Sequence, residues 1–460
     1  MTPHSVSSIS PNPRRLSIAV IGSGISAMSA AWLLAQRHDV TIFEKQARLG
    51  GHSNTAIVSE ADGPVAVDTG FIVYNEATYP NLKALFAHLG VDTAPSDMSF
   101  AVSADAGRFE YAGTDINGLL AQRSNLLRPR FWSMTRDILR FYKEAPRHLA
   151  EGLPADMTLA DYLARHRYGR AFIRDHLLPM AAAIWSSPAA DMQAYPITSF
   201  LSFFINHGLL LLNDRPQWRT VRGGSRRYLE RMLGDARYGV KLGCAAAAIR
   251  TTDDGVEVQD SFSQTHRFDH VVLGCHADEA LALLAEPTAE QRRLLGAFRY
   301  QENRAVLHRD PALMPKRRAA WSSWNYLTRK GQDETQDVCV TYWMNKLQPL
   351  TTDHDYFVTL NPVHTPRPNL VEREITYMHP VFDTAATGAQ SALWSLQGRG
   401  NLWFCGSYFG YGFHEDGLQA GLAVAEQLGG LRRPWSVAEE SGRIAVTGAP
   451  AMTMAAEAAE

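Results

Sequence analysis

Residues 18–35 read IAVIGSGISAMSAAWLLA. Four apolar residues run straight into a turn carrying two glycines, Gly22 and Gly24. A short, continuously apolar run suits a strand buried on both faces of a parallel sheet. ISAMSAAWLLAQRH then reads as a helix of small and apolar residues. An ordinary strand-to-helix turn needs one glycine. Two make sense if a large anion sits against the backbone. Gly22 allows the tight turn, Gly24 lets backbone approach a diphosphate, and Ala27 permits close helix–strand packing. The helix N-terminus, with Ile25 and Ser26 in its first turn, offers N–H groups and a positive dipole end to that anion. DVTIFE follows as a second strand ending at Glu44, 22 residues after Gly22. A carboxylate about 20 residues on is where ribose hydroxyls are gripped. Strand, helix, second strand and terminal acid in register predict an α/β, Rossmann-like dinucleotide-binding unit.

The residues after Glu44, KQARLGGHSNT, place Lys45, Arg48, Gly50, Gly51 and His52 in an ExxxRxGG extension. This resembles the signature of the flavin amine oxidase and phytoene desaturase superfamily. The resemblance implies that the dinucleotide is FAD, with Arg48 and the glycine pair on its diphosphate and His52 approaching the flavin. VDTGFIVYN (67–75) resembles the next segment of that family, where Asp68, Thr69 and Gly70 run near the ring system. TVRGGSRRYLERM (220–232) resembles its Gly-Gly segment leading into a helix, and backbone near Ala246 is then implied to meet the adenine. FDHVVLGCHADEA (268–280) reads as a buried strand returning to the cofactor domain. NLWFCGSYFGYGFHEDGLQAGLAVAEQL (401–428) resembles the C-terminal FAD motif: a strand ending at Gly406, a loop to Asp416, Gly417 and Leu418, and a helix aimed at the flavin. The fold expected is a glutathione-reductase-type FAD-binding domain with an inserted α+β substrate domain.

Composition narrows the class further. The chain has 460 residues, 45% of them hydrophobic, with enough Trp, Phe and Tyr for a large core and a roomy pocket. Its 45 basic and 47 acidic residues show none of the basic excess of a nucleic-acid binder. Cys244, Cys275, Cys339 and Cys405 lie far apart without a CxxC pair, so neither a zinc site nor a disulfide framework is indicated. A reducing, cytoplasmic setting is the expectation. No stretch reaches the roughly 18 apolar residues of a membrane span. The nearest, ITSFLSFFINHGLLLL (197–212), is broken by Ser, Asn and His. It reads either as a buried core helix or as a pocket wall or membrane-facing surface for a greasy substrate.

The expected FAD domain is discontinuous, over 16–75, 215–285 and 395–432. The insertions 76–214 and 286–394 form the expected substrate domain. Residues 1–15 read as a disordered leader and 433–460 as a tail. The first insertion shows helical apolar spacing, as in SNLLRPRFWSMTRDILRFYKEA. The second is strand-rich: AVLHRD, AAWSSWNYLT, DVCVTYWMN and DYFVTLNP suggest antiparallel strands roofing a pocket.

GFIVYNEATYPNL, AAAIWSSP, RPQWRTVRGGSRRY and GFHEDGLQAG together resemble a bacterial group of amine-oxidase-like proteins, itself similar to the flavin domain joined to some plant cyclopropane fatty acid synthases. That resemblance implies a role in modifying acyl chains, a cyclopropane-synthase-like methyltransferase partner, and peripheral contact with the inner face of a membrane. The function expected is hydride transfer from a substrate C–H bond to FAD, dehydrogenating a methyl-branched or cyclopropane-type fatty acyl chain. An FAD amine oxidase and a flavoprotein partner of a methyltransferase are the alternatives. Trp185, His207, Trp324, Tyr342, Trp343 and Asn345 are candidates for the pocket, each weighed against ordinary core packing. His414 and Glu415 are candidates to position substrate or take up a proton, with helix capping as the other reading of Glu415. Tyr408, Phe409, Tyr411 and Phe413 form an aromatic cluster that either cages substrate or packs on the ring. His379 in YMHP is open in the same way.

Overall fold

The computed structural model describes residues 14–154, 156–185, 192–211, 215–330 and 336–446. The IAVIG run is the middle of a five-stranded parallel sheet. Its strands are β1 (Ser17–Ile21), β2 (Asp39–Glu44), β3 (Gly239–Leu242), β4 (His270–Leu273) and β5 (Leu402–Phe404), in spatial order β3-β2-β1-β4-β5. Val20 sits opposite Ile42 on one side and Val272 on the other. Being central explains why β1 reads as unbroken apolar sequence rather than as an alternation.

Five helices matter for the site: α1 (Ile25–Leu34), α2 (Pro80–His88), α3 (Pro129–Glu151), α4 (Ile197–Asn206) and α5 (His414–Gly429). All ten residues of α1 are buried, which is why it shows small and apolar residues on every face. It is clamped between sheet and α5. A Cβ added at Gly274, just past β4, would meet Ala27 Cβ at 2.5 Å, and one at Gly421 would meet the Ser26 carbonyl oxygen at 2.1 Å. Small residues on both sides therefore bring the N-termini of α1 and α5 together.

The second large sheet has seven strands. Arg299–His308, Trp324–Lys330, Gln336–Trp343 and Phe357–Leu360 correspond to the four strand-like stretches of the second insertion. Two differences stand out. The first insertion is not purely helical, since Phe100–Ala104 and Phe109–Ala112 extend this sheet, the former pairing in parallel with Trp324–Lys330. Val371–Val381 is a further strand, paired with Arg299–His308 along its whole length. Its sequence, VEREITYMHPV, is half polar because the sheet is partly exposed there.

Residues 433–446, expected as part of a loose tail, are docked on the parallel-sheet unit. The buried Arg433 guanidinium holds Glu426 through two nitrogens at 2.8 Å, and Trp435 stacks on Trp32 at 5.8 Å. Residues 1–13 and 447–460 lie outside the described residues.

Candidate active site

A cavity of about 670 Å³ opens at the carboxyl ends of β1, β2 and β4 and continues beneath the seven-stranded sheet. Ligands of doubly wound sheets bind at that edge. At its first end, Gly22 adopts φ +92°, a conformation that suits glycine. Space beside Gly24 is open: an added Cβ there would meet nothing within 4 Å. No side chain caps α1, so its first N–H groups are left for an anion. Gly50 N–H donates to the Ser23 carbonyl at 3.1 Å, and Gly51 packs on Gly24, closing the Gly-Gly loop over the turn. Glu44 accepts from Ser23 Oγ at 2.5 Å and from Gln46 N–H at 2.8 Å, which fixes its carboxylate at the cavity edge. Lys45 pairs with Glu279 at 2.5 Å, and both line the cavity beside Ala246. Arg48 also lines it, and among the described residues no carboxylate pairs with its guanidinium. Anion-facing backbone, an available guanidinium and a placed carboxylate together fit a dinucleotide.

Further along the wall lie His52, Thr69, Gly70 and Gly406. His52 is stacked on Tyr377, with ring centroids 4.8 Å apart. The Tyr377 hydroxyl accepts from Asn54 Nδ2 at 2.9 Å and shares a 2.8 Å bond with Thr69. His52 Nε2 is buried with no partner among the described residues. Burial holds this ring well below the usual histidine range, so it is neutral. An orphaned buried nitrogen at the cavity wall fits a polar ligand edge placed there.

His379, left open by the sequence, has a defined protonation pattern. Asn361 Nδ2 donates to Asn303 Oδ1 at 2.7 Å, and Asn361 Oδ1 in turn accepts from Arg304 N–H at 2.9 Å. That orients the Asn303 amide so that its Nδ2 donates to His379 Nδ1 at 3.0 Å. Burial pushes His379 down to about 4. A neutral ring that accepts at Nδ1 carries its proton at Nε2. His207 has the opposite tautomer. Its Nδ1–H donates to the Phe203 carbonyl at 2.9 Å, so Nε2 is a bare acceptor, buried with no partner among the described residues. Burial pushes His207 down to about 3. Asn303, Asn361 and Tyr377 carried no sequence signal, because their roles arise from pairing between strands far apart in the chain.

The other candidates separate. Trp185, Trp324, Tyr342 and His207 line the cavity. Trp324 and Tyr342 are cross-strand partners with rings 5.0 Å apart. Trp343 and Asn345 do not line it. Successive strand residues face opposite ways, so Trp343 points outward to donate to Asp355 at 2.9 Å, and Asn345 binds the backbone of His354 and Tyr356. Tyr408, Tyr411 and Phe413 line the cavity, whereas Phe409 packs against Trp394 behind it. The ITSFLSFFINHGLLLL stretch is both a core helix and a pocket wall: Phe200 and Phe204 are core, while Phe203, His207 and Leu209 line the cavity.

His414 presents its ring, stacked 3.6 Å from Phe71, but its Nε2 is engaged by Ser53 Oγ at 2.9 Å and Tyr228 OH at 3.3 Å. Glu415 is not at the cavity. It is fully buried on the far side of α5 and accepts from Asn81 and Leu82 at the start of α2, which corrects its candidacy as a substrate-handling acid. Gly50, Asp416, Gly417 and Leu418 also lie outside the lining. Asp416 accepts from Phe413 N–H at 2.7 Å at the start of α5, and a Cβ at Gly417 would meet Ser26 Oγ at 2.6 Å. These residues set the position of the α5 N-terminus.

Among the described residues, the only carboxylates in the lining are Glu44 and Glu279, both at the dinucleotide end. The far end, among the described residues, is aromatic and aliphatic, with Ile72, Met98, Ile184, Trp218 and Leu360 among its walls.

Residues 25–307 match the family model for flavin containing amine oxidoreductase. The chain belongs to that family. It is therefore a flavin-containing oxidoreductase, and the Gly22–Gly24 turn and Glu44 fit the dinucleotide form of the flavin, FAD. Solved structures are similar across the whole fold. Putrescine oxidase bound to putrescine is 16% identical with a TM-score of 0.62, covering 90% of this chain and 99% of its own. Cyclohexylamine oxidase from Brevibacterium oxydans IH-35A is 17% identical with a TM-score of 0.61, covering 90% and 100%. A CLA-producing fatty acid isomerase from P. acnes is 14% identical with a TM-score of 0.61, covering 92% and 99%. No individual curated protein matches the sequence.

Proposed function

We propose that this flavin amine oxidoreductase dehydrogenates an uncharged, apolar substrate, a fatty acyl chain of a lipid. One observation carries the reading: the substrate end of the cavity holds no carboxylate among the described residues, and its histidines are neutral. A protonated amine entering there would lose its water without gaining a counter-charge, whereas a hydrocarbon chain gains on burial. Bound FAD would supply the acceptor for the hydride leaving one substrate C–H bond, and the proton lost from the adjacent carbon would pass to the bare Nε2 of His207. Gly22, Gly24, Ile25, Ser26, Arg48 and Gly51 would hold its diphosphate, Glu44 and Lys45 its ribose, and Ala246 its adenine. His52, Thr69, Gly70 and Gly406 would flank its ring. Phe203, Tyr342 and Trp324 confine the chain and exclude water, which fixes the reacting C–H bond. His379 offers a donor at Nε2 for whatever polar group the lipid brings. A cyclopropane-synthase-like methyltransferase is the partner this reading expects, because it makes the branched or ring-bearing chains.

An FAD amine oxidase is the second reading, favoured by the Tyr408, Tyr411 and Phe413 wall, where a deprotonated amine could be stacked. Product analysis decides between the two. Mass spectrometry of phospholipid incubated with the enzyme should give a species lacking two hydrogens, with a new double bond. Unchanged lipid, together with carbonyl product and peroxide from an amine, would overturn the proposal.

A further inference from the structure

Large apolar side chains exposed to solvent are few among the described residues, and five of them cluster between positions 116 and 139: Ile116, Leu126, Leu127, Trp132 and Leu139. Leu127 is 87% exposed and Trp132 54%. The cluster is built rather than loose. The 3-10 turn Arg123–Leu127 is anchored by Asn125, buried and donating to the Glu110 carbonyl at 2.9 Å. Trp132, in the first turn of α3, donates its indole N–H to the Leu126 carbonyl at 2.9 Å. Its one polar atom is thus satisfied, and the ring can leave water without orphaning a donor.

The spacing along α3 sorts its faces. Phe131, Met134, Phe141 and Ala145 are buried, and this side packs on α4, the helix whose Phe203 lines the cavity. Trp132, Arg136, Leu139 and Lys143 follow at intervals of four, three and four, one stripe of the opposite, exposed face. Apolar groups and cations alternate on it. Of the three acids on the helix, Asp137 is buried and meets Arg136 only at 3.6 Å, Glu144 faces Arg140, and Glu151 faces Arg147. Among the described residues neither Arg123 nor Lys143 pairs with a carboxylate.

We propose that this face docks the enzyme on an anionic phospholipid bilayer. Leu127, Trp132 and Leu139 enter the acyl boundary, while Arg123, Arg136 and Lys143 lay their stems along it and reach the headgroup phosphates. A second copy of the chain would bring the same cations against themselves, so the charge favours the lipid surface. Docking here sets the helix behind the cavity wall against the membrane. Because binding is read without turnover, it stands or falls separately from the substrate reading.

The test is flotation of the purified flavoprotein with vesicles of phosphatidylcholine alone or of phosphatidylcholine with phosphatidylglycerol. Binding is expected to the anionic vesicles and to weaken with salt. Replacing two cations, Arg136→Gln with Lys143→Gln, should weaken it about 30-fold. Leu127→Ser with Trp132→Ser should abolish it, and Trp132→Phe should retain it, with flavin absorbance unchanged in every variant. Failure of the wild type to float with anionic vesicles would overturn the proposal. So would equal flotation of both double variants, or a dimer in solution that Leu127→Ser with Trp132→Ser dissociates.

Discussion

Glu415 gives the sharpest separation of a structural from a catalytic role. Its carboxylate is fully buried and accepts four hydrogen bonds: Asn81 N–H at 3.0 Å, Asn81 Nδ2 at 2.8 Å, Leu82 N–H at 2.9 Å and Gln419 Nε2 at 3.0 Å. Pro80 opens α2 and no side chain of its own caps it, so Asn81 and Leu82 carry orphan N–H groups. Glu415 satisfies them from another helix and puts a negative charge at the positive end of α2. In Glu415→Gln one carboxylate oxygen becomes an NH2 facing a buried N–H. An unsatisfied buried donor costs about 1–3 kcal/mol, and losing the charge at the helix end about 1 kcal/mol more. The expected loss is therefore about 2–4 kcal/mol. For a chain of this length the unfolding entropy converts that to a Tm about 2–4 °C lower. Thermal unfolding at fixed, saturating FAD measures it, and anaerobic stopped-flow measures flavin reduction in the same preparation. The expected result is a lower Tm with the reduction rate retained. An unchanged Tm with reduction abolished would refute the reasoning and place Glu415 at the reacting atoms.

Asn303→Asp puts a carboxylate beside His379 Nδ1, and an opposite charge at that distance raises a pKa by about 1–3 pH units. His379, held down to about 4 by burial, would then titrate near neutrality, so the pH profile of flavin reduction should gain an inflection that the wild type lacks. Gly421→Ala drives a methyl onto the Ser26 carbonyl and should separate α5 from α1. The flavin-to-protein ratio after gel filtration should fall, and full occupancy would contradict the packing. Stability should drop on acidification. Burial holds His52, His207, His379 and His414 below the unfolded value of about 6.5, so the unfolded chain gains protons there as pH falls. Each costs about 1.4 kcal/mol per pH unit below that point. Asp68 and Asp416, raised to about 6 by burial, act the other way, returning a similar amount each as pH falls below 6. Four groups outweigh two, so the Tm of the apoprotein should fall between pH 7 and pH 5. A flat or rising Tm would show that the histidines are charged in the fold.

The parts of the fold that were legible in the sequence are local. Gly22, Gly24, Ala27 and Glu44 announce themselves because backbone geometry demands particular residues at particular spacings. Gly406 was reachable for the same reason. What was not legible depends on facing and on distance. Tyr342 and Trp343 are equally aromatic neighbours, and only the direction of the strand decides which sees the cavity. Phe100–Ala104 lies in an insertion of helical spacing, and only pairing with Trp324–Lys330 on one side and Phe109–Ala112 on the other makes it part of the roof. Glu415 sits next to His414 in a loop-like motif, but one residue of helical rotation sends it to α2. His379 was visible as a histidine, while its tautomer depends on Asn303 and Asn361, 58 to 76 residues apart in sequence from their partners.

The account's central claim is that the far end of the cavity accepts an uncharged chain. It is tested most directly by mixing the purified enzyme anaerobically with a branched-chain phospholipid and, separately, with a primary amine of matched chain length, while following visible flavin absorbance. The account predicts that the lipid bleaches the flavin and the protonated amine does not. Bleaching by the amine with none by the lipid would contradict it.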